Sequence, residues 1–232
     1  MEPPQRADLS QLHALVPVRG VAVGKTRLGL ALDAEEREAL IIGLLRHTLD
    51  VLAGWTGCRA VHVITGDADV AEVARAGGAH VVADPPDSDL NDALRAGRDA
   101  ASERGASAVL CLPADLPLLS VAGLAAVLDA ADAALTAGSG RPIVVIAPAD
   151  ARAGTNALLL SPPSIIEPEF GEASMEAHMR AAARADASLQ VVIEPSLGFD
   201  LDTPDDLERL DVSRIVELTD LGTEAVVAAE TR

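Results

Sequence analysis

Residues 108 to 117 run Ala-Val-Leu-Cys-Leu-Pro-Ala-Asp-Leu-Pro, five apolar residues followed by one acid between two prolines. A short run that is apolar throughout is typical of a strand buried on both faces of a sheet. Longer amphipathic segments, which we predict to be helices at 90–103 and 120–135, flank this run. A buried strand between two helices predicts an α/β fold with a mostly parallel central sheet.

The same alternation of short apolar runs and longer amphipathic segments continues along the whole chain. It predicts strands at 11–18, 60–65, 80–83, 108–112, 142–147, 156–160 and 189–193, and helices at 34–53, 68–76, 90–103, 120–135, 175–185 and 204–210. No repeat or break in composition divides the chain. We therefore expect one α/β domain at 9–211, with residues 212–232 as a C-terminal appendage and ligands at the carboxyl ends of the strands.

The composition limits the partners and the location of the protein. The 232 residues include 36 acidic and 18 basic side chains, a net charge of −18, which disfavours nucleic acid and anionic membranes as partners. The N-terminal segment lacks the cationic and apolar regions of a signal peptide, and no apolar run reaches the ~20 residues that span a bilayer. Cys58 and Cys111 lie in apolar runs, and we interpret both as core residues. We expect a cytoplasmic protein.

A basic segment stands out against this acidic background. Residues 9 to 32 contain no acid, and Arg19, Lys25 and Arg27 fall within nine positions of one another. Lys25 is the only lysine of the chain. A solvated loop would explain these charges, but the segment is rich in glycine and follows a predicted strand. We therefore predict a local anion site here.

The Gly24-Lys25-Thr26 sequence in this segment suggests a P-loop, yet the spacing does not fit one. A P-loop needs four residues between its glycines so that successive N–H groups surround a phosphate. Only three residues separate Gly20 from Gly24. We therefore expect Lys25 and its neighbouring arginines to bind a triphosphate through side-chain charge.

Three acids follow predicted strands and are candidates for metal binding. Asp115 comes directly after the strand at 108–112, while Asp200 and Asp202 are two positions apart, so that their side chains share one side of an extended segment. Turn chemistry is the alternative, and Asp202 could serve the start of the following helix. Acids that converge near a nucleotide need cations between them, and magnesium binds carboxylates together with phosphates. We expect two Mg²⁺ ions at Asp115, Asp200 and Asp202.

Separated motifs give the chain a family resemblance. They are Val16-Pro17-Val18-Arg19 with Gly24-Lys25-Thr26-Arg27-Leu28, Asp89-Leu90-Asn91-Asp92-Ala93-Leu94, Pro113-Ala114-Asp115-Leu116-Pro117, Gly154-Thr155-Asn156-Ala157-Leu158, Phe170-Gly171 with Ser174, and Phe199-Asp200-Leu201-Asp202-Thr203-Pro204-Asp205-Asp206-Leu207. In order and spacing they resemble the CofC/FbiD family, guanylyltransferases of deazaflavin coenzyme F-420 biosynthesis. The resemblance covers roughly residues 12 to 210. It implies a single Rossmann-like, glycosyltransferase-A-type nucleotidyltransferase domain.

The resemblance also implies substrates: GTP as the donor and a small phosphorylated carboxylic acid as the acceptor. Within the family the acceptor is phosphoenolpyruvate, 2-phospho-L-lactate or 3-phosphoglycerate. We favour phosphoenolpyruvate, because the composition, rich in Ala and Arg and poor in Lys, resembles that of high-GC actinobacterial chains. Glu172, beside the expected acceptor site, departs from the family pattern. A hand-off of the product to the next transferase of the pathway is a further expectation.

Roles for individual residues follow from the same motifs. By resemblance, Asp115, Asp200 and Asp202 hold the metals, while Lys25 binds the triphosphate together with Arg19 and Arg27. Asn91 faces the nucleoside, and Thr155, Gly171 and Ser174 receive the carboxylate and phosphate of the acceptor. Two of these assignments have simpler alternatives, because Thr155 could be an ordinary residue at the start of a strand and Ser174 could cap the next helix.

The expected chemistry explains which residue types the sequence lacks. The nucleophile is a phosphate oxygen, already largely ionised at neutral pH because its second pKa is about 6. No general base is therefore required, and we assign the five scattered histidines no role. Lys25 and Asp115 are the predicted catalytic residues, because they would stabilise charge as pyrophosphate leaves. The alternatives are a molybdopterin-type nucleotidyltransferase and a GTP-binding regulator without catalysis.

Overall fold

The computed structural model describes residues 6–20, 26–84, 87–137, 140–150, 153–210 and 212–219. The strands are β1 (Leu12–Pro17), β2 (Ala60–Thr65), β3 (His80–Ala83), β4 (Ala108–Cys111), β5 (Ile143–Pro148), β6 (Thr155–Ser161) and β7 (Ser188–Val191). The helices are α1 (Ala34–Gly54), α2 (Ala68–Ala76), α3 (Leu90–Glu103), α4 (Val121–Thr136), α5 (Ser174–Arg184), α6 (Pro195–Gly198), α7 (Pro204–Arg209) and α8 (Val212–Thr219). A 3₁₀ helix, Thr26–Leu30, precedes α1.

The strands form one sheet in the order β3-β2-β1-β4-β6-β5-β7. β6 runs antiparallel to both of its neighbours, and every other pair is parallel. The connection between β5 and β6 is too short for a crossover helix, so β6 must return in the opposite direction. The predicted α/β class with a mostly parallel sheet is confirmed.

Helices cover both faces of this sheet, as predicted. One hydrophobic cluster joins the sheet to α1, α2 and α4, and a second joins it to α3 and α5. A third cluster lies outside the sheet and includes Leu28, Phe199 and Leu201 together with residues of α1, α7 and α8. It connects the end of the basic segment to the part of the chain that carries Asp200 and Asp202.

Local capping explains where several helices begin. Asp33 and Glu36 form a capping box at α1, and Asp89 and Asp92 form another at α3. Thr203 caps α7 and is followed by Pro204 at the first helical position.

The described part of the predicted C-terminal appendage, 212–219, is helix α8, which packs against α1. A Cβ atom added to Gly43 of α1 would lie 1.4 Å from the carbonyl oxygen of Leu218, so the two backbones nearly touch. The Arg214 guanidinium donates hydrogen bonds to the carbonyl oxygen of Pro117 at 2.7 and 2.9 Å. Helix α8 therefore contacts the loop that follows β4. In the part of the chain that the structure describes, no helix has the length and apolar character needed to cross a membrane.

Candidate active site

The candidate site lies where the carboxyl ends of β1 and β4 meet the start of β6. β4 pairs with β1 on one side and with the antiparallel β6 on the other, so the end of one strand adjoins the beginning of the next. The loops that carry the predicted functional residues leave the sheet at this edge. Open α/β sheets bind ligands at this position.

A backbone hydrogen bond joins the chain at Asp115 to the segment that carries the other two predicted metal ligands. The N–H of Leu201 donates to the carbonyl oxygen of Asp115 at 2.9 Å, so Asp200 and Asp202 lie on either side of that contact. Phe199 and Leu201 are buried in the third cluster. Because side chains alternate along an extended segment, Asp200 and Asp202 face away from that cluster. Both carboxylates are half-buried, as is that of Asp115.

Two polar residues hold the segment 198–202 in place. The buried amide of Asn156 on β6 donates to the carbonyl oxygens of Leu197 and Gly198, at 2.9 and 3.1 Å. On the other side, Oδ2 of Asp206 accepts hydrogen bonds from the N–H of Asp202 at 3.2 Å and from the N–H of Thr203 at 2.9 Å. The segment is therefore fixed at both ends.

The sequence patterns predict no role for Asn156 or Asp206. The signals for Asn156 were its place in the motif at 154–158 and a polar side chain at the start of an apolar strand. Helix α7 is capped by Thr203, so the alternative in which Asp202 begins this helix is wrong.

The three predicted carboxylate ligands suit a metal ion that also binds a substrate phosphate. Carboxylate oxygens are the protein ligands that Mg²⁺ prefers, and it commonly takes only one or two of them beside substrate phosphates. Among the described residues, no three His, Cys, Asp or Glu side chains form a group that could hold a metal ion. The described side chains alone therefore do not complete a metal site, and a metal bound by these aspartates would need further ligands from a substrate phosphate.

The structure describes only part of the predicted triphosphate site. Arg19 follows β1 and is exposed, and its Nη2 lies 3.5 Å from the carbonyl oxygen of Ser88, just before α3. Arg27 is exposed on the 3₁₀ helix. Lys25 lies outside the described residues. The basic segment therefore reaches the start of α3, at the same edge of the sheet as the aspartates.

The three predicted acceptor residues lie around the start of α5. The N–H of Ser174 donates to the carbonyl oxygen of Gly171 at 3.2 Å, and the N–H of Met175 donates to that of Ala153 at 3.2 Å. A Cβ atom on Gly154 would lie 3.8 Å from Ser174 Oγ. Thr155, Gly171 and Ser174 are thus brought together by the contact between the start of β6 and the start of α5.

The backbone around these residues is strained. Ala153 and Ala173 have φ of 49° and 56°, in the left-handed region that alanine rarely adopts. Such conformations cost roughly 1–3 kcal/mol and cluster at ligand sites. Ala173 occupies the N-cap of α5 without a side-chain hydrogen bond, and Ser174 is already helical. The alternative in which Ser174 caps this helix is therefore wrong.

Asn91 and His178 form hydrogen bonds that fix the segment before α5. The Asn91 amide bonds to the backbone of Phe170 with both polar atoms, donating through Nδ2 at 3.0 Å and accepting through Oδ1 at 2.7 Å. It therefore ties α3 to the segment before α5, and its contact with the nucleoside stays a prediction. His178 is buried between Thr155 and Glu169. Burial lowers the pKa of His178 to about 4, so its ring is neutral near pH 7.

The sheet order and the site at its edge define the class of the chain, the α/β fold shared by nucleotidyltransferases and nucleotide-sugar transferases. A solved structure of a candidate nucleotide-diphospho-sugar transferase from Desulfovibrio desulfuricans G20 superimposes with a TM-score of 0.71 at 18% identity, covering 94% of this chain and 97% of its own. Glucosyl-3-phosphoglycerate synthase from Mycobacterium tuberculosis, solved with Mn²⁺ and uridine diphosphate, gives a TM-score of 0.57 at 13% identity over 91% and 81% of the two chains.

Sequence comparison then gives the family. The profile described as "Guanylyl transferase CofC like" matches residues 12–213, and the chain belongs to this family. The phosphoenolpyruvate guanylyltransferase of Rubrobacter xylanophilus is 44% identical over 202 residues, which cover 87% of this chain and 94% of the relative. The family that the sequence motifs predicted is confirmed.

Proposed function

We propose that this chain transfers GMP from GTP to phosphoenolpyruvate, giving enolpyruvyl-diphospho-guanosine and pyrophosphate. The hydrogen bond from Leu201 to Asp115 supports the proposal most directly, because it joins the backbone of Asp115 to the segment that carries Asp200 and Asp202. The 44% identical relative is named for this acceptor. Glu172, which departs from the family pattern, is exposed, so its carboxylate can stay in solvent.

The residues act by holding two polyanions in line. Arg19, Lys25 and Arg27 bind the triphosphate, while Thr155, Gly171 and Ser174 bind the acceptor through hydroxyl and backbone groups. Asp115, Asp200 and Asp202 would hold two Mg²⁺ ions, which would neutralise charge on the phosphates. The acceptor phosphate is largely dianionic at neutral pH, so its oxygen attacks the α-phosphorus without a general base.

A panel of donors and acceptors tests this function. GTP, CTP and ATP are each incubated with Mg²⁺ and with phosphoenolpyruvate, 2-phospho-L-lactate or 3-phosphoglycerate, and the products are identified by mass. We expect product from GTP and phosphoenolpyruvate. Transfer to another acceptor or from another nucleotide would replace the substrate assignment, and GTP binding without any product would favour a regulator. Cytoplasmic location and hand-off to the next transferase stay predictions.

The metal ligands have a separate test. We expect Asp115→Asn to lower kcat about 100-fold or more, because the amide keeps the size of the side chain but loses its charge. Its melting temperature should stay near that of the wild type, since Asp115 is half-buried and outside the hydrophobic clusters. Asp129→Asn, on the exposed side of α4, is the matched control. An active Asp115→Asn enzyme would refute the assignment of this residue.

A further inference from the structure

His178 is buried on α5 with a hydrogen bond at each ring nitrogen. The backbone N–H of Glu169 lies 2.9 Å from Nε2, and the hydroxyl oxygen of Thr155 lies 3.0 Å from Nδ1. None of the surface of His178 is exposed to solvent. Its ring also meets the ring of Phe170 edge-on, with the centroids 5.2 Å apart. Asn91 bonds to the backbone of Phe170 and so fixes the residue whose ring packs against the imidazole. The two hydrogen bonds and this ring contact together fix the orientation of the imidazole.

These contacts determine which ring nitrogen carries the proton. A backbone N–H can only donate, so Nε2 must be the accepting, unprotonated nitrogen. A neutral imidazole then carries its proton on Nδ1 and donates it to Thr155 Oγ1. The ring is neutral near pH 7, because burial lowers the pKa of His178 to about 4. The tautomer of His178 is therefore set by Glu169.

The tautomer in turn sets the direction of the Thr155 hydroxyl. Its oxygen accepts from His178, so its hydrogen is left to donate to another group. Thr155 lies at the start of β6, beside the contact between Ala153 and the first turn of α5. With the opposite tautomer, the hydroxyl would donate to His178 and present only lone pairs to an anion, which would weaken binding.

We propose that His178 is a positioning residue that makes Thr155 a hydrogen-bond donor to the phosphorylated acid. The proposal rests on the proposed function for the identity of this acceptor. His178 does not touch the substrate, and it acts only through Thr155. Its effect should therefore fall on the acceptor and leave GTP binding unchanged.

Two substitutions separate the two hydrogen bonds of the ring. In His178→Asn the side-chain amide nitrogen takes the place of Nδ1 and donates to Thr155. In His178→Gln the longer side chain reaches the place of Nε2 and accepts from Glu169, with no donor at the position of Nδ1. We expect His178→Gln to raise the KM for the acceptor about 10-fold, which is the size of one hydrogen bond to a charged group. His178→Asn should stay within about 3-fold of the wild type.

The KM for GTP is the internal control, and melting temperatures identify any variant that fails to fold. If His178→Gln raises both KM values together, or if its acceptor KM exceeds that of His178→Asn by less than about 3-fold, the proposal is overturned. Thr155→Val removes the hydroxyl while keeping the shape of the side chain. In that background, His178→Gln should change the acceptor KM no further, and an additional loss would contradict the proposal.

A second measurement does not depend on the proposed function. Nitrogen-15 NMR of the histidine-labelled wild-type protein reports which nitrogen of each ring is protonated. We expect His178 in the form protonated at Nδ1, and a ring protonated at Nε2 would refute the proposal. If the NMR result holds but phosphoenolpyruvate is not a substrate, the acceptor assignment fails, and the KM series is repeated on whichever acceptor the wild type uses.

Discussion

Asp206 shows how a residue outside the predicted site fixes the geometry of that site. Its side chain is buried, and Oδ2 alone accepts hydrogen bonds from the N–H of Asp202, the N–H of Thr203 and the hydroxyl of Thr203. The contact with the Thr203 N–H belongs to the capping box of α7, whose other hydrogen bond runs from the N–H of Asp206 to the hydroxyl oxygen of Thr203. The contact with Asp202 lies one residue upstream of the cap. The same carboxylate therefore stabilises the helix and orients a predicted metal ligand.

We predict that Asp206→Ala loses stability and metal affinity together. Loss of a capping box costs about 0.5–2 kcal/mol, which chemical denaturation measures. Because the backbone of Asp202 loses its anchor, the Mg²⁺ concentration for half-maximal activity should rise about 10-fold. Asp205→Ala is the matched control, since Asp205 is exposed in the same helical turn. A loss of stability with unchanged Mg²⁺ dependence would reduce Asp206 to a helix cap.

From the sequence, candidate site residues that follow strands are easier to recognise than the residues whose hydrogen bonds position those candidates. Asp115 was predicted because an apolar run ends directly before it, a signal that lies within ten residues. Asn156 and His178 bond to groups 41 and 23 positions away, and backbone groups are among their partners. Pairing at such distances depends on the tertiary fold, and a single sequence does not record it. The role of His178 was missed for this reason.

Among the elements, the strength of the local signal separates the accurate predictions from the missed ones. The predicted bounds of β2, β3, α2 and α3 coincide with those in the structure. Each has a clear apolar pattern, and both helices have an aspartate cap. The 3₁₀ helix and α6 were missed because they span only five and four residues, too few to show a period. The direction of β6 was also unpredicted, because an apolar run looks the same in either direction.

The contact between α1 and α8 leads to a prediction about Gly43. Alanine favours a helix over glycine by about 1 kcal/mol, so local propensity alone predicts that Gly43→Ala stabilises the protein. The new methyl would lie 1.4 Å from the carbonyl oxygen of Leu218, however, and α8 would have to move. Overpacking of this kind costs about 1–3 kcal/mol. We therefore expect a lower melting temperature for Gly43→Ala.

Gly54 offers a matched control for Gly43→Ala in the same helix. A Cβ atom on Gly54 would lie 3.7 Å from a methyl group of Val121, an ordinary contact. Gly54→Ala should therefore leave stability unchanged or slightly increased. If Gly43→Ala matched it, α8 would not be packed on α1 in solution, and the anchoring of the loop after β4 by Arg214 would be in doubt.

For the whole molecule, the buried histidines determine how stability responds to acid. His13, His62 and His80 lie side by side on β1, β2 and β3, with Nδ1 of His13 3.0 Å from Nε2 of His62. His62 is completely buried, and within the described residues its Nδ1 has no hydrogen-bond partner. Burial, helped by the nearby His13, His80 and Arg104, lowers the pKa of His62 to about 4. This cluster lies near the amino-terminal ends of the strands, away from the candidate active site.

We predict that the free energy of unfolding falls as the pH decreases from about 6.5 to about 4. In this range the unfolded chain binds a proton at His62 that the folded protein excludes, and the difference amounts to roughly 1 kcal/mol per pH unit for one group. Urea denaturation at pH 7, 6 and 5 measures the slope of the free energy of unfolding against pH.

Other acid-sensitive groups, His178 among them, add to this slope, so the contribution of His62 is measured by comparing a variant with the wild type. His62→Leu should have a slope shallower by about one proton. Equal slopes for the variant and the wild type would mean that the fold does not exclude this proton from His62, which would contradict the prediction.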